Sequence, residues 1–238
     1  MARKAMDILE YMASSPLFQG LPRENLKDLA TLVVDQVYRR GQLIFSEGDD
    51  GIGFYVIISG RAKIFKLSLG GKEQILHIFG PGEPIGEVAV FAGRRFPANA
   101  EAIENSRVLF FPRAAFMELI QKNPSLALNM LAILSLRLRK FTALIEDLSL
   151  KEVPGRLAAY LLYLCETDQG TADLSLDISK GQLSSLLGTI PETLSRILTK
   201  MIKADLIQSE GSRRIRILNR AGLEELASGQ TRLLEPEL

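Results

Sequence analysis

Ser179-Lys-Gly-Gln-Leu-Ser-Ser-Leu-Leu-Gly188-Thr-Ile-Pro191-Glu-Thr-Leu-Ser-Arg196-Ile-Leu-Thr-Lys200-Met-Ile-Lys-Ala204 reads as two helices joined by a tight turn. Ser179 is a good N-cap. Gln182, Leu183, Leu186 and Leu187 fall on one helical face, and Gly188-Thr189 makes the turn. Pro191 suits a first helical position, with Glu192 beside it in the first turn. Leu194, Ile197, Leu198, Met201 and Ile202 give the second helix a stripe to bury. Helix, short glycine-containing turn, helix is the helix-turn-helix signature. Leu206 to Ser209 and Arg213 to Leu218, joined through Glu210-Gly211-Ser212, then read as a two-stranded wing with a basic return strand.

The buried stripe leaves Glu192, Thr193, Ser195, Arg196, Thr199, Lys200 and Lys203 facing away from the core. A helix fits the major groove of B-DNA, and residues near its N-terminus reach base edges. Glu192 can accept from the cytosine amino group, and Arg196 can grip guanine O6 and N7 as a bidentate pair. Ser195 can read a base edge or a phosphate. Thr193, Lys180, Lys200 and Arg213 suit phosphates. Any helical hairpin with charged outer positions would look similar, so the wing and the features upstream decide for DNA.

Upstream, Asn123-Pro124-Ser125 opens a long helix running to about Leu150. Ala127, Leu131, Leu134, Leu138, Phe141, Ile145 and Leu148 recur at spacings alternating between four and three, a heptad seam that favours a parallel pairing with a second chain. A long helix lying on its own domain is the plainer alternative. Glu152-Val153-Pro154-Gly155 breaks the pattern and reads as a hinge. Arg156 to Thr167 is helical, ending near Gly170, and Thr171 to Ile178 alternates like a strand.

From Val37 to Val108 the texture changes. Eleven of the 19 glycines lie between Gly41 and Gly93. Between them stand short β-branched and aromatic runs: Gln42 to Phe45, Phe54 to Ile58, Arg61 to Leu67 and Gln74 to Phe79. Such spacing predicts a compact antiparallel barrel or roll, with a hairpin tip at Gly70-Gly71. The first 35 residues read as helix and loop, and Pro112 to Lys122 as a short helix.

Composition narrows the chemistry. The 238 residues are 47% hydrophobic and 24% charged, which excludes a disordered or low-complexity chain. Lys and Arg number 29 against 28 Asp and Glu, so any basic surface is local. One cysteine, Cys165, excludes an internal disulfide, an iron–sulfur cluster and a cysteine-rich zinc site. Its neighbours Leu161, Leu162 and Leu164 make it a core thiol. One histidine, His77, excludes chemistry needing two. Paired acid/base groups, metal-ligand spacings and a phosphate-binding G-x-x-x-x-G-K-[ST] loop are lacking, which argues against an enzyme. Without an apolar run of ~18–20 residues or a signal-peptide pattern, the chain reads as cytoplasmic, with no membrane partner.

The order of glycine-rich roll, long helix and winged helix-turn-helix resembles the Crp/Fnr superfamily of bacterial transcription regulators over nearly the whole chain. Gly86-Glu87-Val-Ala-Val-Phe91-Ala-Gly93 resembles that family's effector-pocket loop, and Pro191-Glu-Thr-Leu-Ser-Arg196 its recognition helix. The resemblance implies an α+β protein in three parts. Residues 1–122 would form an effector-binding β-roll of the cyclic-nucleotide-binding type with flanking helices. Residues 123–152 would be the dimerisation helix and hinge, and 153–238 the winged DNA-binding domain. It further implies a homodimer on a palindromic promoter site, with RNA polymerase as a further partner. The Glu-x-x-Ser-Arg pattern is similar to the Fnr-like branch, which reads TTGA-type inverted repeats. The cyclic-AMP receptor branch carries an additional Arg where Pro191 stands.

For the effector, the resemblance implies a pocket of His77, Gly86, Glu87, Val88, Phe96, Pro97, Ala98, Leu138, Phe141 and Thr142. Cyclic-nucleotide members carry Arg-Ser shortly after the loop and Thr-Ser on the dimer helix. Here those places hold Phe96-Pro97-Ala98-Asn99-Ala100 and Phe141-Thr142, so cyclic AMP is not the expected effector. The motifs look most like the Dnr and HcpR groups, linked to nitric oxide or nitrite, some of whose members sense through haem. His77 is then the one histidine available as axial ligand, beside the apolar Phe96 and Phe141. The alternative is a cyclic-nucleotide-dependent regulator of the same fold, with Arg94 or Arg95 binding the phosphate.

Overall fold

The computed structural model describes residues 8–13, 15–93, 95–167, 171–211 and 213–233. Arg94, Gly170 and Ser212, each used above, lie outside the described residues. Contacts divide the chain into two compact units, Met1–Arg139 and Lys140–Leu238. The division falls inside the long helix.

The first unit is the expected roll. Strands β1 (Val34–Tyr38), β8 (Ser106–Pro112), β3 (Gly53–Ser59) and β6 (Pro84–Ile85) form one antiparallel sheet in that order. Strands β2 (Leu43–Phe45), β7 (Asn99–Ala102), β4 (Ala62–Leu67) and β5 (Glu73–Phe79) form the other. Ile44, Phe45, Ala62, Phe79 and Ala100 from one sheet meet Ile57, Ile85 and Val108 from the other in a shared core. The first sheet is covered on its second face too. Phe54, Val56, Leu109 and Phe111 pack there against Leu26 and Leu29 of α1 (Arg23–Leu32), Val90 of α2 (Glu87–Ala92) and Phe116 of α3 (Arg113–Lys122). Burial on both faces is why Phe54 to Ile58 is a continuous apolar run instead of an alternating one. The hairpin of β4 and β5 closes as expected, with the Gly71 amide donating to the Ser68 carbonyl at 2.9 Å.

Helix α4 (Ser125–Leu150) begins where Asn123-Pro124 predicts. Leu126, Met130, Ile133 and Leu134 recur near helical spacing and pack on the roll's outer core. Leu134, expected in the seam, is half-buried and also packs on this core. Leu128, Leu131 and Leu138 remain exposed, as does Ile145 further along the helix.

In the second unit α5 (Val153–Thr167) packs on α8 (Arg220–Ser228). The hinge reading also needs correction. Val153, Pro154 and Gly155 form the first turn of α5, and the break between helices is confined to 151–152. Proline is at ease in a helix's first turn, where its missing N–H has no partner to lose. Strand β9 (Asp173–Ser175) pairs with β11 (Arg214–Ile217), which pairs with β10 (Ile207–Glu210). The alternation from Thr171 to Ile178 thus yields only three strand residues. Leu176 and Ile178 are still buried, but the chain turns away toward the next helix. Among the described residues, no helix is long and apolar enough to cross a membrane.

Candidate nucleic-acid interface and effector pocket

Helix α6 (Lys180–Leu186) starts with a complete capping box. The Gln182 amide donates to Ser179 Oγ at 3.1 Å, and the Ser179 amide to Gln182 Oε1 at 2.9 Å. Gly188 takes φ +69°, the left-handed turn its lack of a side chain allows. Helix α7 (Pro191–Lys203) follows, with Pro191 in its first turn. Arg156, which the sequence reading missed, donates from Nη1 to the Leu187 carbonyl at 2.7 Å and so ties α5 to the end of α6.

Helix α7 has two unlike faces. Leu194, Ile197, Leu198 and Met201 are buried, while Glu192, Ser195, Arg196, Thr199 and Lys203 are exposed. Thr193 and Lys200 are half-buried. Ile202, expected in the buried stripe, is 38% exposed at its edge. Arg196 Nη2 donates to Thr193 Oγ1 at 3.3 Å, one turn back toward the N-terminus. Lys180 is exposed at the first position of α6, and Arg213 is exposed just before β11. On β11, Ile215 and Ile217 point inward and Arg214 and Arg216 outward. Arg216 is tied to Asp173 on β9, Nε to Oδ1 at 2.5 Å. This surface can do what major-groove recognition requires: one face anchors, and the other offers an acid, a hydroxyl and a guanidinium at the helix's N-terminal end.

The residues expected to line the effector pocket divide. Glu87, at the start of α2, is 3% exposed. Arg137 of the long helix bonds to its Oε1, donates to the Pro84 carbonyl at 2.7 Å and lies over the Phe79 ring at 4.5 Å. Oε2 of Glu87 is buried and has no hydrogen-bond partner. His77, half-buried on β5, sets its ring edge-on to Phe79 at 4.5 Å. Gly86 is half-buried and Val88 exposed. Phe96 and Ala98 are buried: Phe96 is 4% exposed and stacks on Phe45 at 4.0 Å. Pro97 is exposed, with its carbonyl accepting from Lys66 Nζ at 3.0 Å. Arg95 is exposed, 3.3 Å from Asp50. Leu138 is exposed on the long helix. Phe141 and Thr142 stand on the continuation of that helix in the second unit, half-buried and exposed respectively. Arg137 was legible in principle: it prolongs the stripe of Leu126, Met130, Ile133 and Leu134 that faces the roll.

Residues 35–123 match the family described as Cyclic nucleotide-binding domain, and residues 155–226 match the Crp-like helix-turn-helix domain. The chain is 34% identical over 92% of its length to 99% of the Cyclic AMP receptor protein of Thermus thermophilus. It is 30% identical over 85% of its length to 92% of the CRP-like cAMP-activated global transcriptional regulator of Mycobacterium tuberculosis. The solved structure of FixK2 from Bradyrhizobium japonicum, 24% identical, shares the fold with a TM-score of 0.71 over 82% of this chain and 96% of that one. With a roll, a long helix and a winged helix-turn-helix, and with relatives that match 85–92% of its length, the chain belongs to the Crp/Fnr family of DNA-binding transcription regulators and is not an enzyme.

Proposed function

We propose that the chain acts in the cytoplasm as a homodimer that reads an inverted-repeat DNA site through α7 and is switched by a small polar effector bound in the roll. The observation that carries this is the exposed row of Glu192, Ser195 and Arg196 on a helix whose opposite face is buried. Lys180, Thr193, Lys200 and Arg213 are assigned to phosphates. The functional division remains 1–122, 123–152 and 153–238, with RNA polymerase as the partner of the DNA-bound dimer. Fluorescence anisotropy with a TTGA-type palindrome and a scrambled duplex tests the reading. Arg196→Ala should erase the preference, at about 1–3 kcal/mol per lost base contact. Lys180→Ala should weaken both duplexes alike. Equal affinity of the unaltered chain for both duplexes would sink the assignment.

Two observations favour a cyclic nucleotide as effector over haem. The relatives at 34% and 30% identity are named for cyclic AMP. The unpaired Oε2 of Glu87 calls for a donor such as a sugar hydroxyl, because a buried acceptor without one is costly. Of Arg94 and Arg95, the candidates for a phosphate, Arg95 is the one among the described residues: it is exposed, with Asp50 3.3 Å away as the carboxylate a phosphate would replace. Haem fits these residues poorly, since Phe96 is buried against Phe45 and the His77 ring packs on Phe79. The nitrosative-stress reading and the Dnr or HcpR kinship therefore rest on motif likeness alone. Calorimetric titration with cyclic AMP and cyclic GMP decides. Binding lost in Glu87→Gln supports the nucleotide, and a shifted haem absorption band that depends on His77 would reverse the choice.

A further inference from the structure

The flank of α7 adjoins a cation that base reading leaves unexplained. Helix α8 ends at Gly229, whose φ of +77° turns the chain. The amides of Gln230 and Thr231 then both donate to the Glu225 carbonyl, at 3.0 and 3.4 Å. The turn brings Arg232 to the lining of an open groove of about 780 Å³ that runs along α7 from Ser195 to Lys203. Arg196 and Lys203 line it as well, together with Glu225, and Leu206 and Leu226 add apolar surface. Arg232 is paired with Glu152 Oε1 at 3.7 Å, and the two side chains are 82% and 67% exposed. A pair so long and so well hydrated holds weakly.

We infer that this groove takes the sugar-phosphate backbone of the duplex that α7 reads, with Arg232 exchanging Glu152 for a phosphate and Lys203 meeting the same strand. The inference rests on the reading of α7 as the DNA-binding helix. The major groove is ~12 Å wide and a helix with its side chains is ~10–12 Å across, so the flanks of an inserted helix meet the two backbones. The groove lies along such a flank and shares Ser195 and Arg196 with the exposed row. From Ser195 to Lys203 the helix rises ~12 Å, while a strand presents a phosphate every ~3.4 Å of duplex axis. More than one phosphate can therefore be met. Arginine is the side chain for this task, because its planar fork matches a phosphate in two parallel hydrogen bonds. Backbone contacts carry no sequence information. The groove thus adds affinity and salt dependence and leaves base preference untouched.

Salt-dependent anisotropy on palindromic and scrambled duplexes tests this with the full-length chain. Arg232→Gln and Lys203→Gln should each bind both duplexes about 3- to 10-fold more weakly at low salt, with the slope of log affinity against log salt falling by about one per subunit. Arg232→Lys, which keeps the charge, should keep most of the slope. Glu152→Gln should bind about 2- to 3-fold more tightly, and that gain should be absent from Glu152→Gln/Arg232→Gln. Arg220→Gln, on the side of α8 that faces Glu166, is the control for net charge and should leave the slope unchanged. An equal fall in slope for Arg220→Gln would reduce the effect to overall charge and overturn the proposal. So would a loss confined to the palindrome, which would make Arg232 a support for α7 and not a backbone contact. Unchanged affinity and slope in both Arg232→Gln and Lys203→Gln would leave the groove to an acidic protein or a small anion. A Glu152→Gln gain that survives without Arg232 overturns the exchange of partners. Failure of the unaltered chain to prefer the palindrome counts against α7 as the reading helix, and the salt slopes on either duplex still decide what the groove holds.

Discussion

Arg137 and Glu87, fifty positions apart, close a buried ion pair that fastens the long helix to the start of α2 on the roll. The Arg137 side chain is 11% exposed and that of Glu87 3%. The same guanidinium holds the Pro84 carbonyl and covers Phe79, so one side chain touches β5, β6 and α2 together. A ligand that donates to Glu87 Oε2 would change the charge balance at the point where roll and helix are joined. A regulator needs such a point, because an effector acts only by binding two states of the protein unequally.

Removing one partner of this pair should cost more than removing both. Arg137→Met leaves a buried carboxylate uncompensated, a loss of about 3–5 kcal/mol. Arg137→Met/Glu87→Gln should recover part of it, because the neutral amide no longer needs a counter-charge. Urea denaturation of the two single variants and the double variant measures this coupling. Strictly additive losses would mean the pair contributes nothing as a pair.

Much of this architecture was legible because it follows from local rules. Ser179, Gln182, Gly188 and Pro191 fix the helix-turn-helix by capping and turn chemistry alone, and the glycine-spaced runs fix the roll. What escaped was set by long-range packing. Periodicity gave Leu134 to a seam, and its packing on the roll's outer core is a three-dimensional contact that spacing does not record. Phe96 suited a flat ligand by residue type, and its stacking on Phe45 joins residues fifty-one positions apart that no local pattern links. Arg137 lay unnoticed between Leu136 and Leu138, since its partner stands fifty residues earlier. The break at Pro154-Gly155 was misplaced because proline and glycine in a helix's first turn spell the same letters as a hinge.

Gly155 has a packing reason for its lack of a side chain. A Cβ there would stand 2.9 Å from the Leu226 carbonyl of α8, a backbone atom that cannot rotate aside. Gly155→Ala should therefore destabilise the second unit by about 1–3 kcal/mol, outweighing the gain in helix propensity. Gly181, where a Cβ would meet Ser179 Oγ at an ordinary 3.8 Å, supplies the control. Gly181→Ala should be neutral or slightly stabilising. Thermal unfolding of both variants reads the difference in sign.

The exposed stripe of Leu131, Leu138 and Ile145, at 58%, 68% and 65%, repeats every seventh residue of the long helix. That repeat is what a second helix needs for a seam. Leu138→Glu should give a monomer by sedimentation equilibrium and reduce palindrome binding to that of a half-site. Leu134→Ala should leave assembly intact and lower the stability of the roll by about 2 kcal/mol. Dimers of the Leu138→Glu protein at micromolar concentration would show that the subunits meet elsewhere.

The wing carries its own pH response. The hydrogen bond from Arg216 holds the Asp173 carboxyl below its usual value, with the positive charges of Arg216 and Arg214 adding to it. A depressed carboxylate stabilises the fold fully above its unfolded-state pKa, and that contribution is lost as pH falls through the folded value. The difference in melting temperature between the unaltered chain and Asp173→Asn should thus be constant near neutrality. It should shrink as the solution is acidified through the ordinary aspartate range and below. Both groups are solvent-exposed, so the difference should be small and should fall with added salt. A gap that widened on acidification would contradict the sign, because protonation removes the one charge by which Asp173 holds β9 to Arg216 of β11.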